Sequence, residues 1–534
     1  MYRWLQRNHL LPTVVLFLLL TGLGLFLYFR TDYSVSWPGF ISMMLFYGFI
    51  FFLGSYAGSK RAKGTAIGLM LAGRNLPLGI AVFSMSATWV GGGYVNGTAE
   101  YTAAADYGLV WVQAPWGYAL SLIFGGLFFA GKMRRHRFRT LLDPLAQRFG
   151  RRMAAVQFLP ALTGELFWSG AILTALGTTF GTVLGLDTQT AIIVSAAIAV
   201  AYTALGGLWS VAVTDVVQLS ILLFGLLLVV PDALEEVGGV SEAWSSYKAQ
   251  RGASASLLPS REALGEYYWY WWDYALLLIC GGIPWQVYFQ RVLASKDEKT
   301  ARRLSIIAGV ICLIAAIPPI LIGIGGSLVD WNALGLPAPP NDASILPHVV
   351  RYLTQPWVAT IALGAIAAAV MSSVDSSILS ASSLATWNVY RPLVRPKASN
   401  QDLAKVIKRC IWIIGVAATL LALRVKSIYT LWALCSDFVY CLLFPALLAA
   451  LFDKKANAWG AAAGFAVALV LRFGGGESAL GIPALLPYPM KVDGVVLFPF
   501  RTFSMLCGLF TIWAVSRMSS RWSPPVPLSV MESD

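Results

Sequence analysis

Residues Thr88 to Gly97 read TWVGGGYVNG, three consecutive glycines beside a tryptophan inside an apolar run that extends from 77 to 98. A hydrocarbon core about 30 Å thick takes roughly 20 helical residues, so the run is long enough to cross it. No water in that core satisfies a backbone group set free by a helix break. Glycines there imply one of two arrangements. Either a neighbouring helix packs closely on the smooth surface they leave, or the helix is unwound and protein or ligand supplies the missing partners.

The surrounding chain has the same membrane character. Of 534 residues, 57% are hydrophobic and only 12% are charged, a balance unlike that of soluble domains. Fourteen candidate spans follow: 10–29, 38–57, 77–98, 107–131, 153–182, 189–206, 211–231, 267–290, 304–328, 356–388, 407–423, 428–452, 458–472 and 500–517. Runs of this length predict an all-α integral membrane protein of about 13–14 transmembrane helices and exclude a β-barrel, whose strands alternate polarity over about ten residues.

The net charge of +13 does not indicate nucleic acid, because the basic residues fall in alternate short stretches: 58–64, 132–139, 291–303, 391–397 and 453–455. That is the positive-inside pattern. It places these loops and both chain ends in the cytoplasm and the loop 232–266, with its DALEE, outside. The run 10–29 follows Arg3 and Arg7 as a signal peptide would; its length and the lack of a convincing cleavage site favour a retained extra helix. The six cysteines lie in or at the ends of spans and read as packing residues. His9, His136 and His348 all lie away from mid-span, which supports neither a proton relay nor a histidine metal site. No phosphate loop, nucleophile motif or metal-ligand spacing suggests an enzyme, and no resident cofactor is implied.

Spans entering at 77, 107, 153, 189 and 211 start inside, and those entering at 267, 304, 356, 407 and 428 start outside. Two groups of five with opposite entry predict an inverted repeat. The organisation is then 1–37, an extension with an extra helix; 38–76, a peripheral helix and basic loop; 77–231, repeat 1; 232–266, an outer loop; 267–452, repeat 2; and 453–534, two helices and a tail. The first helix of each group is interrupted, at Gly91, Gly92 and Gly93 and again at Gly281, Gly282 and Pro284. Paired interruptions in corresponding positions predict a transport site near the midplane.

Trp89 and Trp285 adjoin the breaks, with Tyr118 and Trp168 on the second and third helices of the first group. Aromatic faces converging on one cavity attract a cation, and a quaternary ammonium is the natural guest since it needs no hydrogen bond. Sugar binding would draw on polar side chains such as Asn96 and Gln286, which are fewer. Asn96 also opens an NGT sequon, but within a span it is a poor glycosylation acceptor.

The stretch AAVMSSVDSSILSASS, Ala368 to Ser383, gathers hydroxyls around Asp375. Oxygen ligands suit a hard cation, whereas serines alone also serve interhelical hydrogen bonding; an intramembrane Asp favours function. Glu100, Glu165, Asp215 and Asp437 are further acids in or at the ends of spans, with Asp215 suited to an ion leaving inward and Glu165 to structural pairing.

Six stretches, ATWVGGGYVNGTAE (87–100), LPALTGELFW (159–168), YTALGGLWSVAVTDVVQL (202–219), GGIPWQVYFQRVL (281–293), VMSSVDSSILSASS (370–383) and SDFVYCLLFPALLAALF (436–452), make the chain resemble the sodium:solute symporter family, and within it the choline-carrying members. The resemblance implies a LeuT-like core of two inverted five-helix repeats plus peripheral helices. It also implies sodium-coupled, chloride-dependent choline uptake across the plasma membrane. Matched residue by residue, Trp89, Tyr118, Trp168 and Trp285 would cage choline. Carbonyls of Ala87, Val90 and Ala369 with hydroxyls of Ser372 and Ser373 would bind sodium, supported by Asp375 and Asp215. The helix at 10–29 and the absence of a long regulatory tail depart from the pattern of animal members. Rival expectations are a symporter for betaine, proline or a sugar, and a receptor of the same fold that does not transport.

Overall fold

The computed structural model describes residues 10–30, 37–61, 65–184, 187–424, 434–477, 481–492 and 495–532. Among the described residues, helix occupies all or part of every span expected from the sequence, and the elements are named in chain order. The first two, α1 (Leu10–Arg30) and α2 (Trp37–Arg61), pack together where the ring of Phe40 meets Gly24 and that of Phe17 meets Gly48. A short α3 (Ala66–Leu71) leads to the first broken pair, α4 (Leu78–Trp89) and α5 (Gly92–Ala103). Then come α6 (Ala114–Phe124), continued by a π-helical turn and Gly131–Arg135, the short α7 (Asp143–Phe149), α8 (Arg151–Leu184) and α9 (Thr188–Glu235).

The two spans 189–206 and 211–231 run together as α9 and part only at Gly207 (φ 63°, ψ −168°), where a positive φ suits glycine and Leu69 lies too close for any side chain. The expected loop 232–266 is not irregular: after α9 ends at Glu235 it forms α10 (Gly239–Arg251), whose Tyr247 hydroxyl donates to the carbonyl of Thr102 at 2.7 Å.

The second broken pair is α11 (Tyr268–Gly281) and α12 (Gln286–Ala294). Next come α13 (Glu298–Ala315), α14 (Ile317–Leu328), α15 (Ile345–Leu353), α16 (Pro356–Leu384) and α17 (Asn400–Arg424). Of the span expected at 428–452, residues 428–433 lie outside the described ones; from 434 it is helical, passes a π-helical turn and ends as α18 (Phe444–Phe452). Last are α19 (Ala458–Gly474) and α20 (Phe500–Met518). Side-chain caps start several of these: Asp187 accepts from Thr190 N at 2.8 Å, and Asn457 from Gly460 N at 2.9 Å. Asp297 accepts from Thr300 N at 2.7 Å, which holds its carboxyl below the ordinary value.

Among the described residues, eight helices are long and apolar enough to cross a membrane, the bent pair α4 and α5 makes a ninth, and four shorter apolar helices accompany them. At their centre stands α16, packed by α8, α9 and α17, and its residues Ser372 to Ser383 are buried throughout. The six cysteines are free thiols in or beside the packed interior.

One expectation is overturned here. Arg291, read as the first residue of a cytoplasmic loop 291–303, lies within α12 and is fully buried. A linear reading ends a span at the first arginine, but this one faces a buried carboxylate, so the helix continues past it.

Candidate functional site

The break between α4 and α5 consists of Val90 (φ −85°, ψ 61°) and Gly91 (φ −96°, ψ −171°), and the two halves bend by 51°. Close packing and unwinding, posed as alternatives by the glycines, occur together. A Cβ on Gly91 would strike the hydroxyl of Ser373, and one on Gly92 the side chain of Val370, so α16 presses directly on the break. Gly92 and Gly93, expected in this break, instead open α5 as helix. The other break spans Gly282 to Trp285, with Gly281 still helical as the last residue of α11 and Trp285 extended (φ −107°, ψ 136°). Its indole Nε1 donates to the carbonyl of Gly281 at 2.7 Å, satisfying an acceptor in the interrupted stretch.

Both tryptophans turn into one place. Trp89 lies 5.6 Å from Trp168 at 76° and 6.5 Å from Trp285 at 85°, and Trp168 lies 5.3 Å from Trp285 at 72°. Three indole planes, each nearly perpendicular to the other two, form the corner of a box. Tyr118 extends one wall: its ring is nearly parallel to that of Trp89 (29°) but 5.7 Å away, an offset stack. Behind it Tyr94 continues the column at 6.4 Å. All four candidate cage residues are buried. The indole Nε1 of Trp89 is buried with no hydrogen-bond partner, a donor left over inside the cluster.

The candidate sodium residues meet at the same junction. Ala87, Val90, Ala369, Ser372 and Ser373 are buried, and the Ser373 hydroxyl donates to the carbonyl of Thr88 at 3.1 Å, one residue from Ala87 and two from Val90. Ser372 donates to the carboxylate of Asp215. Asp375 accepts from Thr203 Oγ1 at 2.7 Å through one oxygen, while its other oxygen is buried without a hydrogen-bond partner.

Around these residues runs a network that sequence reasoning only half found. Arg291 Nη2 lies 3.4 Å from Asp215 Oδ2 and 2.5 Å from Ser376 Oγ, and its Nε donates to Ser84 Oγ at 3.1 Å. Ser84 in turn donates to Asp215 at 2.5 Å. Asp215 is therefore engaged with an arginine and two serines at the meeting of α4, α9, α12 and α16. Glu165 accepts from Ser377 at 2.7 Å, which matches a structural pairing, yet its second oxygen has no partner. Of the remaining hydroxyls on α16, Ser380 reaches across to Gln290 at 3.0 Å, whereas Ser382 and Ser383 bond back to Ile378 and Leu379 of their own helix. The serine-rich stretch thus divides into an outward-reaching part and a self-contained end. Ser84, Thr88, Thr203 and Arg291 were missed; a buried arginine within an apolar run was the one available signal.

Asn96 is buried with Oδ1 unpaired, and Gln286 Oε1 accepts from Leu141 N at 2.8 Å. Glu100 lies on α5, and Asp437 joins a separate outer network with Arg472 and Arg501. His136 Nδ1 contacts the carbonyl of Lys132 and His348 Nε2 that of Pro337; His9 lies outside the described residues.

Two helices interrupted at matching places around a buried cluster are the architecture of a secondary transporter. The model of the Sodium:solute symporter family matches residues 69–468, and the chain belongs to that family. Its fold is all-helical with a LeuT-like core, and it is a multi-pass membrane protein of a sodium-coupled class. The chain is similar to high-affinity choline transporter 1 of Drosophila melanogaster, 45% identical over 90% of this chain and 78% of the other. It is likewise similar to the human protein of that name, 43% identical over 90% and 85%. Among solved structures, the substrate-bound outward-open state of a Na+-coupled sialic acid symporter superposes with a TM-score of 0.75, covering 93% of this chain and 100% of the other at 20% identity; it speaks for the fold alone.

Proposed function

We propose that the chain carries choline into the cell across the plasma membrane by alternating access, coupled to sodium and dependent on chloride, with its C-terminus in the cytoplasm. The observation that carries the reading is the corner of three mutually perpendicular indoles, Trp89, Trp168 and Trp285, with Tyr118 along one wall. Two perpendicular walls that each stand about 4.5 Å from one cation have centroids about 6 Å apart, within the range over which a ring face attracts a cation. The observed separations of 5.3 to 6.5 Å lie around that value. Each face adds on the order of 1 to 2 kcal/mol when desolvated, so a permanent cation is held with no buried carboxylate against it. The unpaired Nε1–H of Trp89 is a donor for the choline hydroxyl. The names of the relatives support the same substrate.

Sodium is assigned to the carbonyls of Ala87, Val90 and Ala369 and the hydroxyls of Ser372 and Ser373, with Asp375 and Asp215 in support. The ion would hold the broken helix against α16 and so favour the cavity that receives choline. Rocking of one repeat against the other then exposes both to the cytoplasm. A membrane potential of about 100 mV contributes about 2.3 kcal/mol per positive charge moved inward, so substrate and ion are drawn the same way.

The test is uptake of labelled choline by proteoliposomes with and without a sodium gradient, and with chloride replaced by gluconate. Accumulation that needs sodium and falls on chloride replacement is expected. Choline binding without accumulation would make the chain a receptor, and preferential accumulation of betaine would overturn the substrate.

A further inference from the structure

Away from the aromatic corner, at the end of the molecule that carries the basic loops, a cavity of about 280 Å³ is lined by Arg139, Asp143, Arg151, Trp387, Asn388 and Arg391, among others. Four segments meet there: the turn before α7, the start of α8, the π-helical continuation of α16 over Ala385–Val394, and the C-terminal tail through Met531. The tail is strapped down, with Met531 N donating to the carbonyl of His136 at 2.9 Å, Ser529 N to Gln147 at 3.0 Å and Arg148 to the carbonyl of Val526 at 2.7 Å.

Three guanidinium groups and one carboxylate line this cavity. The carboxylate is already saturated: Asp143 accepts from Arg139 N at 2.6 Å, Thr140 N at 3.1 Å, Thr140 Oγ1 at 3.0 Å and Asn388 Nδ2 at 3.1 Å. Arg391 and Arg139 are held over the Trp387 ring, 4.2 and 5.0 Å from its centroid, so the like charges are gathered by the indole and not dispersed into solvent. Among the described residues no ion pair joins Arg151 or Arg391 to a carboxylate. Asn388, itself buried, leaves Oδ1 without a hydrogen-bond partner. Arginines that cluster around a cavity suit a phosphate dianion, whose oxygens accept forked N–H bonds. The leftover Asn carbonyl oxygen asks for a donor beside it, which a hydroxyl on the phosphate's carrier provides.

We propose that this cavity is a binding site for a phosphomonoester on a hydroxyl-bearing carrier, either a phosphorylated lipid headgroup or a free polyol phosphate. The volume accommodates such a group, being just below the range of about 300 to 1,000 Å³ typical of small-molecule sites. The occupant would join the end of α16, the helix whose Ser372 and Ser373 lie at the broken helix, to α7, α8 and the tail. The site lies apart from the aromatic corner and does not depend on what that corner carries.

The test uses the full chain in nanodiscs and reads thermal stability as a function of phosphate ligand. In one arm discs of phosphatidylcholine alone are titrated with glycerol 3-phosphate; in the other, phosphatidylinositol 4-phosphate is incorporated at increasing fractions. A saturable rise in Tm is expected, in the first arm if the ligand is soluble and in the second if it is a lipid. Arg151→Gln with Arg391→Gln should remove the rise. Should the double variant fail to fold, Arg151→Gln alone, at an exposed position, should shift the half-saturation point about tenfold, as loss of a charged hydrogen bond to phosphate does. A Tm that stays flat in both arms, or a rise with the same half-saturation point in the foldable variant, overturns the proposal.

Discussion

Two buried ionic networks in this protein are built to opposite standards. The outer one ties α11, α19 and α20 to the helix around Asp437. Asp437 is 2.6 Å from Arg472 and 2.8 Å from Arg501, Arg472 also reaches Glu477 at 2.6 Å, and Asp273 accepts from Thr502 N and Oγ1 at 2.7 and 2.6 Å. The inner one sets Arg291 against Asp215 at 3.4 Å, with Glu165 and Asp375 nearby in the same core, each leaving one oxygen unpaired. Short ion pairs in a low-dielectric interior fix helices in place, even though Arg501 Nη1 stands 3.6 Å from Asp273 without a hydrogen bond. Loosely satisfied acids beside a broken helix leave room for a mobile cation. The outer network therefore belongs to the scaffold and the inner one to the working parts.

The largest effect is expected from Asp437→Ala. Removing the acid leaves two buried guanidiniums without their main partner and should cost about 3 to 5 kcal/mol. Thermal unfolding of the purified variant should show a large drop in Tm, and a Tm near that of the unaltered protein would remove the outer network from the scaffold. Next comes Trp285→Ala, which takes away one ring face and should weaken choline binding roughly 5- to 30-fold, corresponding to about 1 to 2 kcal/mol. Unchanged affinity in a direct binding titration would strike that ring from the cage.

Ser373→Ala deletes one oxygen beside the break and should raise the sodium concentration for half-maximal uptake by about fivefold, the equivalent of about 1 kcal/mol. A superimposable sodium curve would argue that this hydroxyl only packs. The smallest change in stability is expected for Asp375→Asn, which keeps shape and the bond from Thr203 but loses the charge on the unpaired oxygen. Its Tm should hold while the sodium curve shifts; loss of folding with it would place Asp375 with the scaffold.

The sequence placed the breaks to within a residue or two: Gly91, Gly282 and Pro284 lie in them, whereas Gly92, Gly93 and Gly281 are the helical ends that flank them. The helical character of the runs was equally readable, but the count was less so: against 13–14 expected spans, eight helices and one bent pair among the described residues are long and apolar enough to cross, with four shorter apolar helices beside them. Arg291 shows where linear reading fails: at the edge of a span, an arginine looks like a cytoplasmic anchor, and only its contact with Asp215, 76 residues earlier, reveals a buried counter-charge. Ser84 and Thr203 were silent for the same reason, as single hydroxyls in apolar helices whose partners lie on other spans. The loop at 232–266 hid a helix, α10, because its amphipathic sequence carries enough charge to read as a solvated connection.

What residue order fixed was thus local and solvent-driven: which segments are apolar enough to leave water, where each backbone must break, and which ends carry positive charge. What only the folded chain decided was convergence, with Trp89, Trp168 and Trp285 meeting at right angles and α16 lying on the glycines of the break. The physical reason is that burial and backbone satisfaction act within one segment, whereas angles between rings and distances between charges depend on how separate helices pack.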